Sequence, residues 1–114
     1  MPKKKKSIIT EYEDISAFSG APAECDHHCV FGRGLRELAD QDGLWIPLTN
    51  AEHNMSSHGK TYQIHENHAA ECLSKMVGQL AWEKNYYRNL CTIAGNTEDD
   101  ARKEFRKRYG ISYL

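Results

Sequence analysis

Five of the six histidines in this 114-residue sequence fall between residues 25 and 65. A neutral imidazole is a good ligand for divalent transition metals, and its ordinary pKa suits general-base catalysis near neutral pH. His27 and His28 are adjacent, His53 follows an apolar segment, and His65 precedes a long helical pattern. This distribution predicts a metal or acid–base site assembled from separate parts of the chain.

Two strands and a helix are expected to position these histidines. Adjacent residues of a strand point to opposite faces, so His27 and His28 are not expected to bind the same ion. One can bind while its neighbour acts as a base. Leu44 to Leu48 is a second apolar run, and Pro47 limits it to a sheet edge or a strand end.

Helical patterns follow the last histidine of this region. From residue 67 to about 91, apolar residues recur at three- and four-residue spacing, which predicts an amphipathic helix with one buried face. A final helix is predicted from about Glu98 to Arg108, because acidic residues suit a helix start and Gly110 suits its end. A short helix is predicted over Leu35 to Ala39. The apolar residues assigned to the buried face are Leu73, Met76, Val77, Leu80, Tyr87, Leu90 and Cys91.

The histidines and the residues that flank them resemble the HNH endonucleases, and in particular a small phage- and prophage-associated branch of that family. The resemblance covers nearly everything after about residue 16. It implies an α+β fold, with a ββα-metal (His-Me finger) core flanked by helices, that hydrolyses DNA phosphodiester bonds with one divalent ion. The motifs that carry it are His27-His28, Val30-Phe31-Gly32, Asp42-Gly43-Leu44, Pro47-Leu48, His53-Asn54 and Ile64-His65-Glu66-Asn67.

The resemblance also implies roles for single residues. His27, His53 and His65 match the metal-ligand positions, and the ion would be Mg²⁺, Mn²⁺, Ni²⁺ or Zn²⁺. His28 matches the general base that takes a proton from the attacking water. Asn54 would orient a ligand or contact phosphate, as the second catalytic residue.

Several alternatives remain open at the level of sequence. Asp26 and His27 could form the ligand–base pair in place of His27 and His28. His58 is an alternative third ligand, and His68 is a weaker rival. Arg33 and Arg36 follow the first strand, where they would either contact DNA phosphates or form surface salt bridges.

Many HNH enzymes carry a zinc knuckle of two Cys-x-x-Cys pairs. The corresponding positions here hold Ser16, Ser19, Thr49 and Glu52. Hydroxyls are poor zinc ligands compared with thiolates, so the knuckle is predicted to be lost and the fold to be held by helix packing. The four cysteines lack paired spacing and are predicted to be small buried residues: Cys25, Cys29, Cys72 and Cys91.

Composition limits the class of protein. The chain is predicted to have a basic flexible tail over residues 1–10 and one domain over 11–114, with the ββα site at 24–68 and C-terminal helices at 67–114. No stretch approaches the roughly 20 apolar residues of a membrane span, and no signal peptide is recognisable, so a cytoplasmic protein is expected. The net charge of −1 is not typical of a high-affinity, non-specific DNA binder.

Three functions follow from these observations. The first is a DNA endonuclease in phage or prophage DNA processing, with DNA and phage packaging or recombination proteins as partners. The second is a non-catalytic DNA- or protein-binding module that keeps the fold. The third is a structural metal-binding protein. Cutting both strands normally needs two active sites, which favours a homodimer through the helix that contains Trp82.

Overall fold

The computed structural model describes residues 5–55, 63–90 and 98–114. It is a mixed α+β fold, as predicted, with far more helical than strand residues. The predicted strands and helices are present, although the short helix runs three residues further than expected. In chain order the elements are β1 (Cys25–His28), α1 (Leu35–Asp42), β2 (Trp45–Leu48), a π-helical turn (Ala51–Met55), a 3-10 turn (Ile64–Glu66), α2 (His68–Leu90) and α3 (Glu98–Tyr109).

The two strands form an antiparallel sheet in which His27 pairs with Ile46 and Asp26 pairs with Pro47. Both strands are edges, so the missing N–H of Pro47 is tolerated. Because side chains alternate along a strand, His27 points to the inner face and is fully buried, whereas His28 points to the other side. The two adjacent histidines therefore differ in burial, His27 being buried and His28 partly exposed.

Helix α2 packs closely against the end of β1. A Cβ atom at Gly78 would lie 2.8 Å from Cγ2 of Val30 and 3.1 Å from Cβ of Cys29, so only glycine fits there without a shift. Ser74, one turn earlier, is also buried. This approach places the first turns of α2 over the sheet face that contains His27.

The close approach of α2 changes which of its faces is buried. Leu73, Val77 and Leu80 were predicted to be core residues, but they are 60%, 44% and 52% exposed. The buried face instead presents Ser74 and Gly78, which let the helix backbone approach β1. The predicted helix is therefore confirmed over residues 68–90, but the prediction of its buried face is wrong at these three positions and at Tyr87, which is 38% exposed.

Asp42, at the end of α1, links the three helices. Its carboxylate accepts hydrogen bonds from Nε1 of Trp82 (3.0 Å), from Nε of Arg108 (2.7 Å) and from the hydroxyl of Tyr109 (2.7 Å). Trp82 also stacks on Tyr86, with 5.1 Å between ring centroids. The Trp82 side chain is thus engaged within the chain, and the dimer interface on this helix stays a prediction.

The N-terminal segment packs on the domain from Lys5 onward. The hydroxyl of Ser7 donates to the carbonyl of Trp45 over 2.6 Å, the amide of Ile8 donates to the carbonyl of Gly43 over 3.0 Å, and Nε1 of Trp45 donates to the carbonyl of Lys5 over 2.9 Å. The predicted boundary of the tail at residue 10 is therefore too late. Among the described helices, none has the length and apolar character of a membrane span.

Candidate metal centre

His27, His53 and His65 come together from β1, the π-helical turn and the 3-10 turn. One ring nitrogen from each lies within 4.8 Å of the others, and the three could hold a metal ion. Ring centroids are separated by 5.3 Å for His27 and His53, 5.0 Å for His27 and His65, and 4.6 Å for His53 and His65. The three residues predicted as ligands therefore form one group.

Local structure fixes the place of each ring. Buried Ile64 anchors the 3-10 turn that contains His65. Asn67 then begins α2, because its Oδ1 accepts the amide of Ala70 over 3.1 Å. His53 is held by a hydrogen bond from its amide to the carbonyl of Thr49 (3.1 Å).

The donor atoms of this group fit a cation. Nε2 of His53 lies 2.9 Å from Nε2 of His65. Two nitrogens bound to one ion at about 2.1 Å each are about 3 Å apart when their angle at the ion is near 90°. Nδ1 of His27 is buried and has no hydrogen-bond partner among the described residues, which is costly for a polar atom unless an ion satisfies it.

Electrostatics keeps the ligand rings neutral. Burial lowers the pKa of His27 to about 3, and the neighbouring His65 and His53 contribute to the shift. Burial also lowers the pKa of His53, with a further contribution from His65. Neutral imidazoles are the form that binds metal, so both rings are ready to act as ligands at neutral pH.

His28 lies at the edge of the same site, on the opposite side of β1 from His27. Its Nε2 is 3.3 Å from Oδ1 of Asp40, and its Nδ1 accepts a long hydrogen bond of 3.5 Å from Nε of Arg36. Because a carboxylate only accepts, the imidazole proton lies on Nε2 and the lone pair on Nδ1. An imidazole oriented in this way by a carboxylate is the usual arrangement of a general base.

An open cavity connects these residues. It is lined by His28, Phe31, Gly32, Arg36, His53 and His65. Phe31 makes edge contacts with His27 and His65, with ring centroids 5.6 Å and 4.9 Å apart. Lys75 Nζ lies 4.6 Å from the centroid of the Phe31 ring.

The other residues singled out in the sequence are placed less centrally. Arg33 is exposed on the loop between β1 and α1 and does not line the cavity. Asp26 and His68 do not belong to the three-residue group, and His68 contacts Sγ of Cys72 over 3.6 Å. The Asn54 side chain, His58 and Cys91 lie outside the described residues.

The four positions expected from the zinc knuckle come together around Glu52. Its Oε1 accepts the hydroxyl of Ser16 (2.5 Å) and the amide of Thr49 (2.9 Å), and Oγ1 of Thr49 accepts the amide of Glu52 (3.2 Å). Partial burial opposes ionisation of Glu52, but hydrogen bonds from Ser16, Thr49 and Ser19 lower its pKa. This Glu52 cluster links the segment before β1 to the π-helical turn, so hydrogen bonds at the former knuckle positions add to the helix packing that the sequence predicted.

Of the cysteines, Cys29 is fully buried as predicted, whereas Cys25 and Cys72 are only partly buried. All three are free thiols. Burial raises the pKa of Cys29 to about 12, so its thiol stays protonated and is a poor ligand.

Sequence reasoning missed three residues that contact the site histidines: Asp40, Glu71 and Ser74. Glu71 Oε2 is 3.2 Å from Nδ1 of His65, and Ser74 Oγ is 2.7 Å from Nε2 of His27. The signal in the sequence was a polar residue among apolar ones in a helical pattern. Whether such a residue is buried or exposed cannot be decided until the buried face of the helix is known.

In chemical terms, the group offers three imidazole nitrogens beside an open cavity that is lined by a carboxylate-oriented histidine and an arginine. Three protein ligands with an open side are typical of catalytic metal sites, whereas structural zinc sites are usually closed by four. Comparison of the chain with protein-family models, curated proteins and solved structures finds no match.

Proposed function

We propose that the protein is a metal-dependent DNA endonuclease of the HNH type, in which β1, β2 and α2 form a ββα-metal core. The observation that carries this proposal is the convergence of three histidines beside a fourth, His28, which a carboxylate orients at the edge of the same cavity. Metal ligands and a positioned base are the minimum equipment for phosphodiester hydrolysis with one ion.

In the proposed mechanism, His27, His53 and His65 would hold a divalent ion, which would supply Lewis-acid chemistry to a bound phosphate. His28 accepts a proton from water at Nδ1 as the water oxygen attacks phosphorus and the bond to the 3′ oxygen breaks. Asp40 holds the proton on Nε2 of His28 and so keeps Nδ1 as the basic atom. Arg36 must release Nδ1 of His28, and its guanidinium is then free to bind the phosphate.

Positive charge near the site supports a nucleic-acid substrate. The chain as a whole carries a net charge of −1, but Arg36 lines the cavity and the Lys75 ammonium lies over the Phe31 ring. Local cations can contact phosphates where the net charge does not favour binding. A part in phage or prophage DNA packaging or recombination, carried out by a dimer with two sites, extends this proposal to the biological role.

A non-catalytic DNA- or protein-binding module is the second candidate. The observation that favours it is that both ring nitrogens of His28 already have partners, Asp40 and Arg36. In that case His28 would hold α1 against the sheet, and neither water nor phosphate would reach it.

Nicking of supercoiled plasmid distinguishes the two candidates. We expect the purified protein to nick DNA when Mg²⁺, Mn²⁺, Ni²⁺ or Zn²⁺ is added singly, and His28→Ala to lower the rate by roughly 100-fold or more while metal binding persists. His68→Ala removes an exposed histidine outside the group and should leave the rate unchanged. No nicking with any metal, or equal nicking by wild type and His28→Ala, would favour the binding module.

A further inference from the structure

We infer that the first two turns of α2 form an outer shell of the metal centre, in which Ser74 and Glu71 set the tautomers of His27 and His65. His27 then offers Nδ1 to an ion, whereas His65 offers Nε2. This inference rests on the proposed metal site. It gives α2 a role of its own, which is to set the tautomers of the histidine ligands.

The hydroxyl of Ser74 determines the tautomer of His27. A serine hydroxyl has one hydrogen to donate, and that of Ser74 donates to the carbonyl of Cys29 over 2.9 Å. In its 2.7 Å contact with Nε2 of His27, the serine oxygen must therefore accept. The His27 proton lies on Nε2, which leaves the lone pair on Nδ1, the buried atom that has no protein partner among the described residues.

The carboxylate of Glu71 determines the tautomer of His65. An ionised carboxylate only accepts, so Nδ1 of His65 donates to Oε2 of Glu71 over 3.2 Å. The lone pair of His65 is then on Nε2, which faces Nε2 of His53 at 2.9 Å. Without an ion, His53 is the donor in that contact, and it must move this proton to bind an ion through the same atom.

One helix can perform both tasks because of its geometry. Residues three apart lie on the same helix face, so Glu71 and Ser74 reach two rings from one surface. Asn67 fixes the start of α2, and the close approach at Gly78 fixes its distance from β1. The outer shell is therefore as rigid as the packing of α2 on the sheet.

Calorimetric titration of the full chain with Zn²⁺ tests the effect on binding. Loss of an outer-shell partner typically costs roughly 10- to 100-fold in metal affinity, and we expect a loss of that size in Glu71→Ala and in Ser74→Ala. Glu71→Gln keeps an oxygen that can accept from Nδ1 of His65 and should recover most of the affinity. Glu104→Ala makes the same change on α3 and should bind Zn²⁺ like the wild type.

Nitrogen-15 NMR of the metal-free protein tests the tautomers directly. If Glu71 and Ser74 had only a structural role, their substitution would not change the tautomer of either histidine. We expect His27 as the Nε2–H tautomer, His65 as the Nδ1–H tautomer, and a mixed population for His65 in Glu71→Ala. Because Glu71 is partly exposed, this variant tests the inference even if Ser74→Ala fails to fold.

Three results would overturn the inference: the opposite tautomers in the wild type, affinities within twofold of wild type in both alanine variants, or no Zn²⁺ binding by the wild type. Failure of the nuclease proposal is a separate outcome. A protein that binds Zn²⁺ with these tautomers but does not nick DNA would retain the outer shell and lose only the proposed activity.

Discussion

Glu52 and His53 are adjacent in one π-helical turn, yet their side chains belong to two polar clusters with opposite chemistry. The Glu52 cluster joins a carboxylate to hydroxyls and an amide, so acceptors meet donors. The histidine cluster brings three imidazoles together, and two of them direct their N–H groups outward to Ser74 and Glu71. The first cluster is satisfied by its own atoms, whereas the second leaves Nδ1 of His27 without a partner among the described residues and turns the lone pair of His65 into the group.

This difference shows why only one of the clusters is a candidate metal site. A hydroxyl can supply the hydrogen that a carboxylate needs, and the pair then requires no cation. When the N–H of an imidazole points to an outer partner, the other ring nitrogen presents its lone pair to the interior of the cluster, where a cation can bind it. The family resemblance places a lost zinc knuckle at the Glu52 cluster, and among the described residues the three histidines form the group that could hold an ion.

The largest effect should come from removing a ligand of the histidine cluster. His65→Ala deletes a partly exposed ring, so the fold should survive, while the affinity for Zn²⁺ should fall by about 100-fold or more. Titration calorimetry measures this effect, with His68→Ala as the control from the next turn of the chain. If the wild type and His65→Ala bound Zn²⁺ with affinities within threefold of each other, His65 would not be a ligand.

A substitution in the Glu52 cluster should have the opposite effect: it should lower the free energy of unfolding and leave Zn²⁺ binding unchanged. Glu52→Ala leaves the hydroxyl of Ser16 and the amide of Thr49 without their acceptor, at a cost of about 1–3 kcal/mol in the free energy of unfolding. Urea denaturation measures the loss, and Glu11→Ala, at an exposed position, is the control. A variant with unchanged stability but without metal binding would reverse the roles given to the two clusters.

Acid should affect the two clusters in different pH ranges. His27 and His53 have pKa values below 6.5 in the folded state, so the unfolded chain binds more protons below that pH and stability falls as pH decreases. With the pKa of His27 at about 3, the loss between pH 7 and pH 5 should be on the order of 2 kcal/mol. The pKa of Glu52 is also lowered, so its contribution is present above the ordinary value of 4.5 and declines only as pH falls below it.

Urea titrations of the metal-free protein at pH 7.5, 6 and 5 check this order. Saturating Zn²⁺ should raise the free energy of unfolding at each pH at which it binds but should not remove this loss, because the protons are taken up by the unfolded chain and the metal-bound histidines stay unprotonated. A stability that is constant down to pH 5 and falls only below 4.5 would mean that the histidine cluster is not buried and neutral.

The smallest effect should come from the face of α2 that points away from both clusters. Leu73→Ser changes a side chain that is 60% exposed, and the free energy of unfolding should fall by no more than about 0.5 kcal/mol. The same urea assay checks it, with Ile64→Ala as a buried comparison that should cost about 2–5 kcal/mol. Equal losses in the two variants would place Leu73 in the core after all.

The strands, the helices and the grouping of three histidines could be predicted because their signals are local or chemical. Strand Trp45–Leu48 follows an apolar run, and α3 begins and ends close to its acidic and glycine signals. The grouping of His27, His53 and His65 followed from residue type, spacing and the family resemblance. These signals do not depend on knowing which surfaces meet.

The missed features depend on how the surfaces meet. The buried face of α2 follows from the close approach at Gly78, which periodicity of large apolar residues does not reveal. Ser74 and Glu71 acquire their partners only through that approach. The sequence analysis identified Ser16 and Glu52 only as positions where the family carries cysteines. Their pairing as hydrogen-bond donor and acceptor requires contact between two segments that are 36 residues apart.

X-ray absorption spectroscopy of the protein loaded with one equivalent of Zn²⁺ tests the central claim most directly. We expect a first shell of three imidazole nitrogens completed by oxygen from solvent, since His27, His53 and His65 leave an open side toward the cavity. Sulfur in the first shell, or four histidine nitrogens and no oxygen, would contradict an open three-histidine centre and with it the proposed chemistry.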